Sequence, residues 1–208
     1  LKRLSITMVG FDHLLAKSLN EIVKENLGVK TSKKIEDRLF EKFGISLTQS
    51  IEEFDKLDLV LREFFGKGTD GLEKNFFKNL FQINSKKSKD MWHTITDSNV
   101  NEIILQAFGD SEKKKIMETV SNSSKIIAII LKECKLPQTS GYRKINQLID
   151  DGLLVQSGYV MKDNKKINKY VCIFNNLKIN IEKNNLIVDV QLTKLEQENS
   201  SILQIIQN

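Results

Sequence analysis

Through the first 81 residues apolar positions recur at three- and four-residue steps with no alternating stretch, which predicts helices throughout, four in number. The first is expected over about Phe11 to Asn26, with Leu14, Leu15, Leu19, Ile22 and Val23 on one face and Gly28 as its stop. A second should run from about Thr31 to Phe43, burying Ile35, Leu39, Phe40 and Phe43 and ending at Gly44. Ser46 and Gln49 have the spacing of a capping box, which starts a third helix by satisfying its free N–H groups. That helix carries Ile51, Phe54, Leu57, Leu61, Phe64 and Phe65, and its 54, 57, 61, 64 spacing is a short seam for an antiparallel neighbouring helix or for a second subunit. Gly66 closes it, and Asp70 with Glu73 three residues on offers the N-cap of the fourth.

The pattern changes twice further on. Residues 82 to 96 are polar and weakly periodic, with Trp92 as the large apolar anchor, so a linker is expected there. Helical spacing returns up to about Asp151 and then gives way to alternation. Val155, Ser157, Tyr159 and Met161 share one side of a strand, Asp163 and Asn164 supply turn chemistry, and Ile167 to Phe174 is rich in β-formers. A second hairpin follows, with Leu177, Ile179 and Ile181, a turn at 183–185, and Leu186, Val188, Val190 and Leu192. The tail from Thr193 has a weak stripe, Leu195, Ile202 and Ile206, suited to pairing subunits or to fraying.

Charge sharpens this picture more by its distribution than by its total of +5. Residues 125 to 170 hold nine Lys/Arg against four Asp/Glu, a surplus equal to that total, and such a field attracts polyanions. Cys134 and Cys172 have no companion ligand at metal spacing, so no disulfide framework, metal or cofactor is expected, and a reducing cytoplasm is the expected setting. The two thiols could share a core as small hydrophobes or as a redox pair. No apolar run has membrane-spanning length and residues 1–8 lack a secretory apolar stretch.

The candidate chemistry lies in the basic region. Ile126, Ile127, Ile129, Ile130 and Leu131 predict a short apolar helix, Glu133 to Pro137 a tight turn with Leu136 as its plug, and Pro137 the start of another helix. In that helix Ile145, Leu148 and Ile149 face inward. Gln138, Thr139, Ser140, Tyr142, Arg143 and Lys144 are left for the outer, N-terminal face. Hydroxyls and amides there can bond phosphates or base edges, and Arg143 can present a bidentate fork to guanine. Lys162, Lys165, Lys166 and Lys169 sit at or near the hairpin tip, placed to cross a sugar–phosphate backbone. The element order from Asn99 to Phe174 is that of a helix-turn-helix followed by a wing.

Two stretches also resemble known families. Residues 107–116 (AFGDSEKKKI) and 142–154 (YRKINQLIDDGLL) resemble the first helix and the recognition helix of ArsR-like winged helix-turn-helix repressors, over roughly 98–174. The resemblance implies a homodimer reading double-stranded operator DNA with Gln138 through Lys144; the cysteine pairs of the metal-sensing members are absent. Residues 31–44 (TSKKIEDRLFEKFG) and 57–73 (LDLVLREFFGKGTDGLE) resemble the type-five helical output domain of ammonia-oxidising, Nitrosopumilus-type archaea. That implies an output or dimerisation module.

The expected fold is therefore mainly α with a small β part (α+β). A four-helix domain (1–81), a linker (82–97), a winged helix (98–174) and an additional hairpin with tail (175–208) follow in order. The expected function is sequence-specific transcriptional regulation by a nucleoid-associated homodimer. A second reading is a signalling adaptor that binds protein, suggested by the modest net charge and by Asp150 and Asp151 beside the reading helix. An enzyme is not expected. Gly66, Gly68 and Gly71 spell G-x-G-x-x-G, but no strand precedes them, and His13 and His93 lack a positioned nucleophile or carboxylate. Lys113, Lys114 and Lys115 are expected on a solvated face or against phosphate.

Overall fold

The computed structural model describes residues 10–84, 91–183 and 185–207. The molecule is mainly helical with a smaller antiparallel part, and its buried apolar side chains form one continuous core.

Helix α1 (Gly10–Phe43) breaks at Gly28, whose φ of 70° and ψ of 163° lie outside helical values. The two predicted helices are thus the two arms of one kinked element. The first arm buries Phe11, Leu14, Leu15, Leu19 and Val23, and the second buries Ile35 and Leu39. Phe40, expected in that stripe, is instead 69% exposed. Ser46 then caps α2 (Leu47–Glu52) by the reciprocal capping box, with Gln49 N donating to Ser46 Oγ at 3.2 Å and Ser46 N to Gln49 Oε1 at 2.9 Å.

The single helix expected after the capping box is divided at Glu53, where φ is −121° and ψ 58°, and α3 (Phe54–Phe65) follows. Its first amide donates to Ser201 Oγ at 3.2 Å. Phe54, Leu57 and Leu61 of the predicted seam are buried, whereas Phe64 is 41% exposed. A 3-10 turn (Gly66–Gly68) leads into α4 (Thr69–Lys78). Asp70 does not cap it; its carboxylate pairs with Arg62 Nη2 at 2.8 Å, and Glu73 turns inward.

The expected linker is in part sheet. Strands β1 (Phe81–Asn84) and β2 (Trp92–Ile95) pair with each other, and β2 pairs with β7 (Asn185–Leu192) of the second hairpin. With β6 (Phe174–Glu182) they form an antiparallel sheet of order β1-β2-β7-β6. A polar segment gains this order because its alternate residues His93 and Ile95 are buried, His93 against Phe11 of α1.

Helices α5 (Ser98–Gly109) and α6 (Ser111–Thr119) start at aspartate caps, Asp97 and Asp110. Strand β3 (Lys125–Ile126), α7 (Ile127–Cys134), α8 (Gln138–Asp150) and strands β4 (Leu154–Lys162) and β5 (Lys165–Cys172) follow. The three strands form a second sheet of order β3-β5-β4.

Up to Gln207 the tail is helical and packs into the core. Helices α9 (Lys194–Asn199) and α10 (Ser201–Gln207) bury Glu196, Ile202 and Leu203, while Leu195 of the expected stripe is 41% exposed. Helix starts and buried carboxylates cap one another here. Glu196 Oε2 accepts the Phe11 amide of α1 at 2.8 Å, and Asp12 Oδ2 accepts the backbone N–H and the hydroxyl of Ser201, each at 2.8 Å. Burial pushes the Asp12 carboxyl up to about 6, against the hydrogen bonds it accepts from Ser200 and Ser201. Glu196 is pushed up to about 7, by burial first, with the Asp12 charge adding to it.

Candidate nucleic-acid interface

Helix α7 ends at Lys135, whose left-handed backbone (φ 55°, ψ 42°) reverses the chain in two residues, with Leu136 N donating to Leu131 O at 3.0 Å. Pro137, expected as the first helical residue, is the N-cap of α8 with φ −59° and ψ 142°, so the helix begins one residue later, at Gln138. Gly141 allows α7 and α8 to touch, since a Cβ there would run into the Leu131 side chain. Ile145 and Leu148 complete the inner face of α8.

Opposite that face Gln138, Thr139, Tyr142 and Arg143 are exposed. Among the described residues Arg143 meets no carboxylate. Asn146 continues the same stripe three and four residues on, and an exposed amide there offers both a donor and an acceptor. Sequence reasoning missed it by stopping at the N-terminal half of the helix; the spacing 139, 142, 143, 146 carried the signal.

Two of the expected residues do not join this stripe. Ser140 is half-buried, and its hydroxyl donates to Pro137 O at 3.4 Å. Lys144 turns back to α6, where its ammonium pairs with Asp110 and lies 3.1 Å from Glu112. The hydrogen bond that Lys144 donates to Asp110 holds its ammonium above the ordinary lysine range, and the Asp110 carboxyl is lowered in turn. Position 144 lies three residues after Gly141 and one before Ile145, so the helical period turns it toward α6.

Beside the start of α8 lies a hollow of about 320 Å³, with Lys132 and Lys135 on its α7 side and Gln138 and Tyr142 on its α8 side. Both lysines are exposed and meet no carboxylate among the described residues. The lysine run on α6 contrasts with them. Lys113 pairs with Asp151 at 3.8 Å, Lys114 with Glu118 at 3.9 Å, and Lys115 donates to Cys134 O at the end of α7 at 2.9 Å.

The β4–β5 hairpin turns at Asp163 and Asn164, both left-handed with φ of 49° and 59°, the geometry of a two-residue hairpin turn. A bulge between Gln156 and Tyr159 breaks the predicted alternation. Val155 therefore faces the core, while Tyr159 and Met161 are 52% and 58% exposed. Lys162 and Lys165 face each other at the tip, and Lys166 lies 4.7 Å over the Tyr159 ring. Lys169 is not at the tip; it pairs with Ile126 at the base of the three-stranded sheet and is half-buried.

The remaining candidates resolve into packing. His13 bridges α1 to Glu52 at 2.9 Å and to the Asp150 carbonyl at 2.8 Å. His93 is fully buried between Phe11 and Phe81, and that burial lowers its pKa to about 4. Cys134 and Cys172 are free, buried thiols, and burial pushes Cys172 up to about 11. Among the described residues no cluster of His, Cys, Asp and Glu could hold a metal, and no helix is long and apolar enough to cross a membrane. Compared with protein-family models, with curated proteins and with solved structures, the chain matches none, so a functional reading rests on this geometry.

Proposed function

We propose that the chain is a sequence-specific DNA-binding regulator in which α6 to β5 act as a winged helix, α8 reads the major groove and the β4–β5 wing crosses the backbone. The observation that carries this reading is the stripe Gln138, Thr139, Tyr142, Arg143 and Asn146, which is solvent-facing and contains a cation without a carboxylate partner among the described residues. The dimensions suit the role, because an α-helix fills the major groove and enters it by its N-terminal half. Phosphate contacts would fall to Lys132 and Lys135 beside the α8 N-terminus and to Lys162, Lys165 and Lys166 on the wing. The helices of residues 10–78 and the β6–β7 hairpin would form the regulatory body, a homodimer would read a pseudo-palindrome, and the role is binding rather than catalysis.

Selection from a random duplex library, followed by anisotropy titration of the selected site, tests the proposal. A recovered consensus bound at least about a hundredfold tighter than scrambled DNA supports it. No enrichment, or equal affinity for every duplex, overturns it.

One feature favours the adaptor reading as a second one. Below the Gly28 kink a groove of about 770 Å³ is edged by Val29 and Phe40, which are 88% and 69% exposed. Exposed apolar groups around a groove of this size suit a protein contact.

A further inference from the structure

Helices α3, α4 and α10 line a cavity of about 300 Å³. Its polar wall carries Asp58 and Arg62 from α3, and Asp70, Glu73 and Lys74 from α4. Phe77, Ile205 and Ile206 form the apolar wall. Glu73 is only 2% exposed, and its Oε1 has no hydrogen-bond partner among the described residues. Thr69, one turn earlier on α4 and fully buried, likewise has an unpartnered hydroxyl. Arg62 does not fill the gap, because its guanidinium is committed to Asp58 at 2.7 Å and Asp70 at 2.8 Å.

An unpaired buried acceptor is costly, and a ligand that brings N–H donors removes the cost. An anion would bring no donor to Glu73 Oε1 and would face the carboxylates of Asp58 and Asp70. A neutral apolar molecule would leave Glu73 Oε1 without a donor. Among the described residues no cluster of three or more His, Cys, Asp or Glu side chains is arranged to hold a metal ion. We propose that this cavity binds a small organic cation, a primary ammonium on a short hydrocarbon stem, with the ammonium on Glu73 and Asp58 and the stem against Phe77, Ile205 and Ile206. The volume, at the lower end for ligand pockets, limits the stem to a few carbons.

Binding moves a proton. Burial, followed by the Asp58 charge and the hydrogen bond to Asp58, pushes Glu73 up to about 8, so the empty site keeps this carboxyl neutral at pH 7. Arg62 acts against that shift and Asp70 with it, while α10 presents only apolar groups. An arriving ammonium takes the place of the Glu73 proton, which passes to the buffer. Affinity therefore rises as pH is raised toward 8. This site stands apart from α8 and holds whether or not α8 reads DNA.

Titration calorimetry of the full chain with n-butylamine, in two buffers of different protonation enthalpy, tests the proposal. Saturable 1:1 binding, release of about one proton near pH 7 and tightening toward pH 8 are expected. Glu73→Gln, which keeps the shape and removes the anion, should weaken binding at least about tenfold and abolish the proton release. Butyrate and n-butanol should not bind. Absence of saturable binding at millimolar amine, binding without proton release in the wild type, or equal binding by butanol would each overturn the proposal.

Discussion

Gly10 and Gly152 meet backbone to backbone, joining the start of α1 to the residue between α8 and the β4–β5 hairpin. A Cβ on Gly152 would lie 2.7 Å from the Gly10 carbonyl oxygen and 2.6 Å from the Leu14 amide, and one on Gly10 would lie 2.7 Å from the Gly152 carbonyl oxygen. Gly152 also has a φ of 74°, left-handed and strained for any side chain. Gly152→Ala should therefore lower stability by about 2–5 kcal/mol, combining backbone strain with overpacking. Gly109→Ala is the control, since nothing lies within 4 Å of a Cβ there. Urea midpoints that fall equally for the two variants would count against this contact.

Lys144 and Arg143 are neighbours with separate tasks, and their alanine variants should separate. Arg143→Ala should leave the unfolding midpoint unchanged while costing about 1–3 kcal/mol of binding to the selected site and relaxing the preference at one base pair. Lys144→Ala removes the tie to Asp110 and Glu112, so stability should fall by about 1 kcal/mol or less, the pair being partly solvated. Its effect on base preference should be absent. Anisotropy on single-base variants of the site, run beside urea melts, distinguishes the two; a loss of base preference in the Lys144 variant would reverse the assignment.

Local signals were legible in the chain because one element satisfies them alone. The Gly28 break, the Ser46–Gln49 box, the 163–164 turn and the inner face of α8 are of this kind. What escaped depends on distant partners. Strand β2 becomes a strand because β7, some hundred residues on, pairs with it, and 82–96 alone shows only polarity. Asp12 and Ser201 make the tail part of the core, yet nothing in residues 193–207 announces an aspartate 189 positions away. The α8 stripe was legible as a period and was cut short at Lys144, whose inward turn depends on Asp110. The bulge at 157–158 was invisible because alternation through it looks unbroken in sequence.

Buried carboxylates set the pH dependence of stability. Glu73 and Glu196, raised from an ordinary 4.5 to about 8 and about 7, bind protons more tightly folded than unfolded. Their shifts make the native state lose stability as pH rises from about 4.5 toward those values, by up to about 1.4 kcal/mol per pH unit per group. Asp12 acts the same way up to about 6. His93 opposes them between about 4 and 6.5, because its proton is held only in the unfolded chain. Above pH 6.5 that opposition ends, so the urea midpoint should fall steadily from pH 6.5 to about 8. Glu73→Gln should flatten the fall, and a midpoint rising across this interval would contradict the buried, neutral Glu73.

The wing lysines should act on every duplex alike. Lys165 and Lys166 are exposed just after the Asp163–Asn164 turn, on a different element from the α8 stripe, so we assign them to phosphate rather than to base edges. Each phosphate contact contributes about 0.9 to the slope of log affinity against log salt. Lys165→Gln with Lys166→Gln should therefore reduce that slope by about 1–2 and weaken selected and scrambled duplexes by the same factor. The fold should lose little, since the Lys166 contact with the Tyr159 ring is exposed and worth about 0.5–1 kcal/mol. Arg143→Ala predicts the complementary pattern, a loss concentrated on the selected site. Should the double lysine variant keep the wild-type slope, the hairpin does not touch the backbone, and the phosphate contacts would fall to Lys132 and Lys135 beside α8.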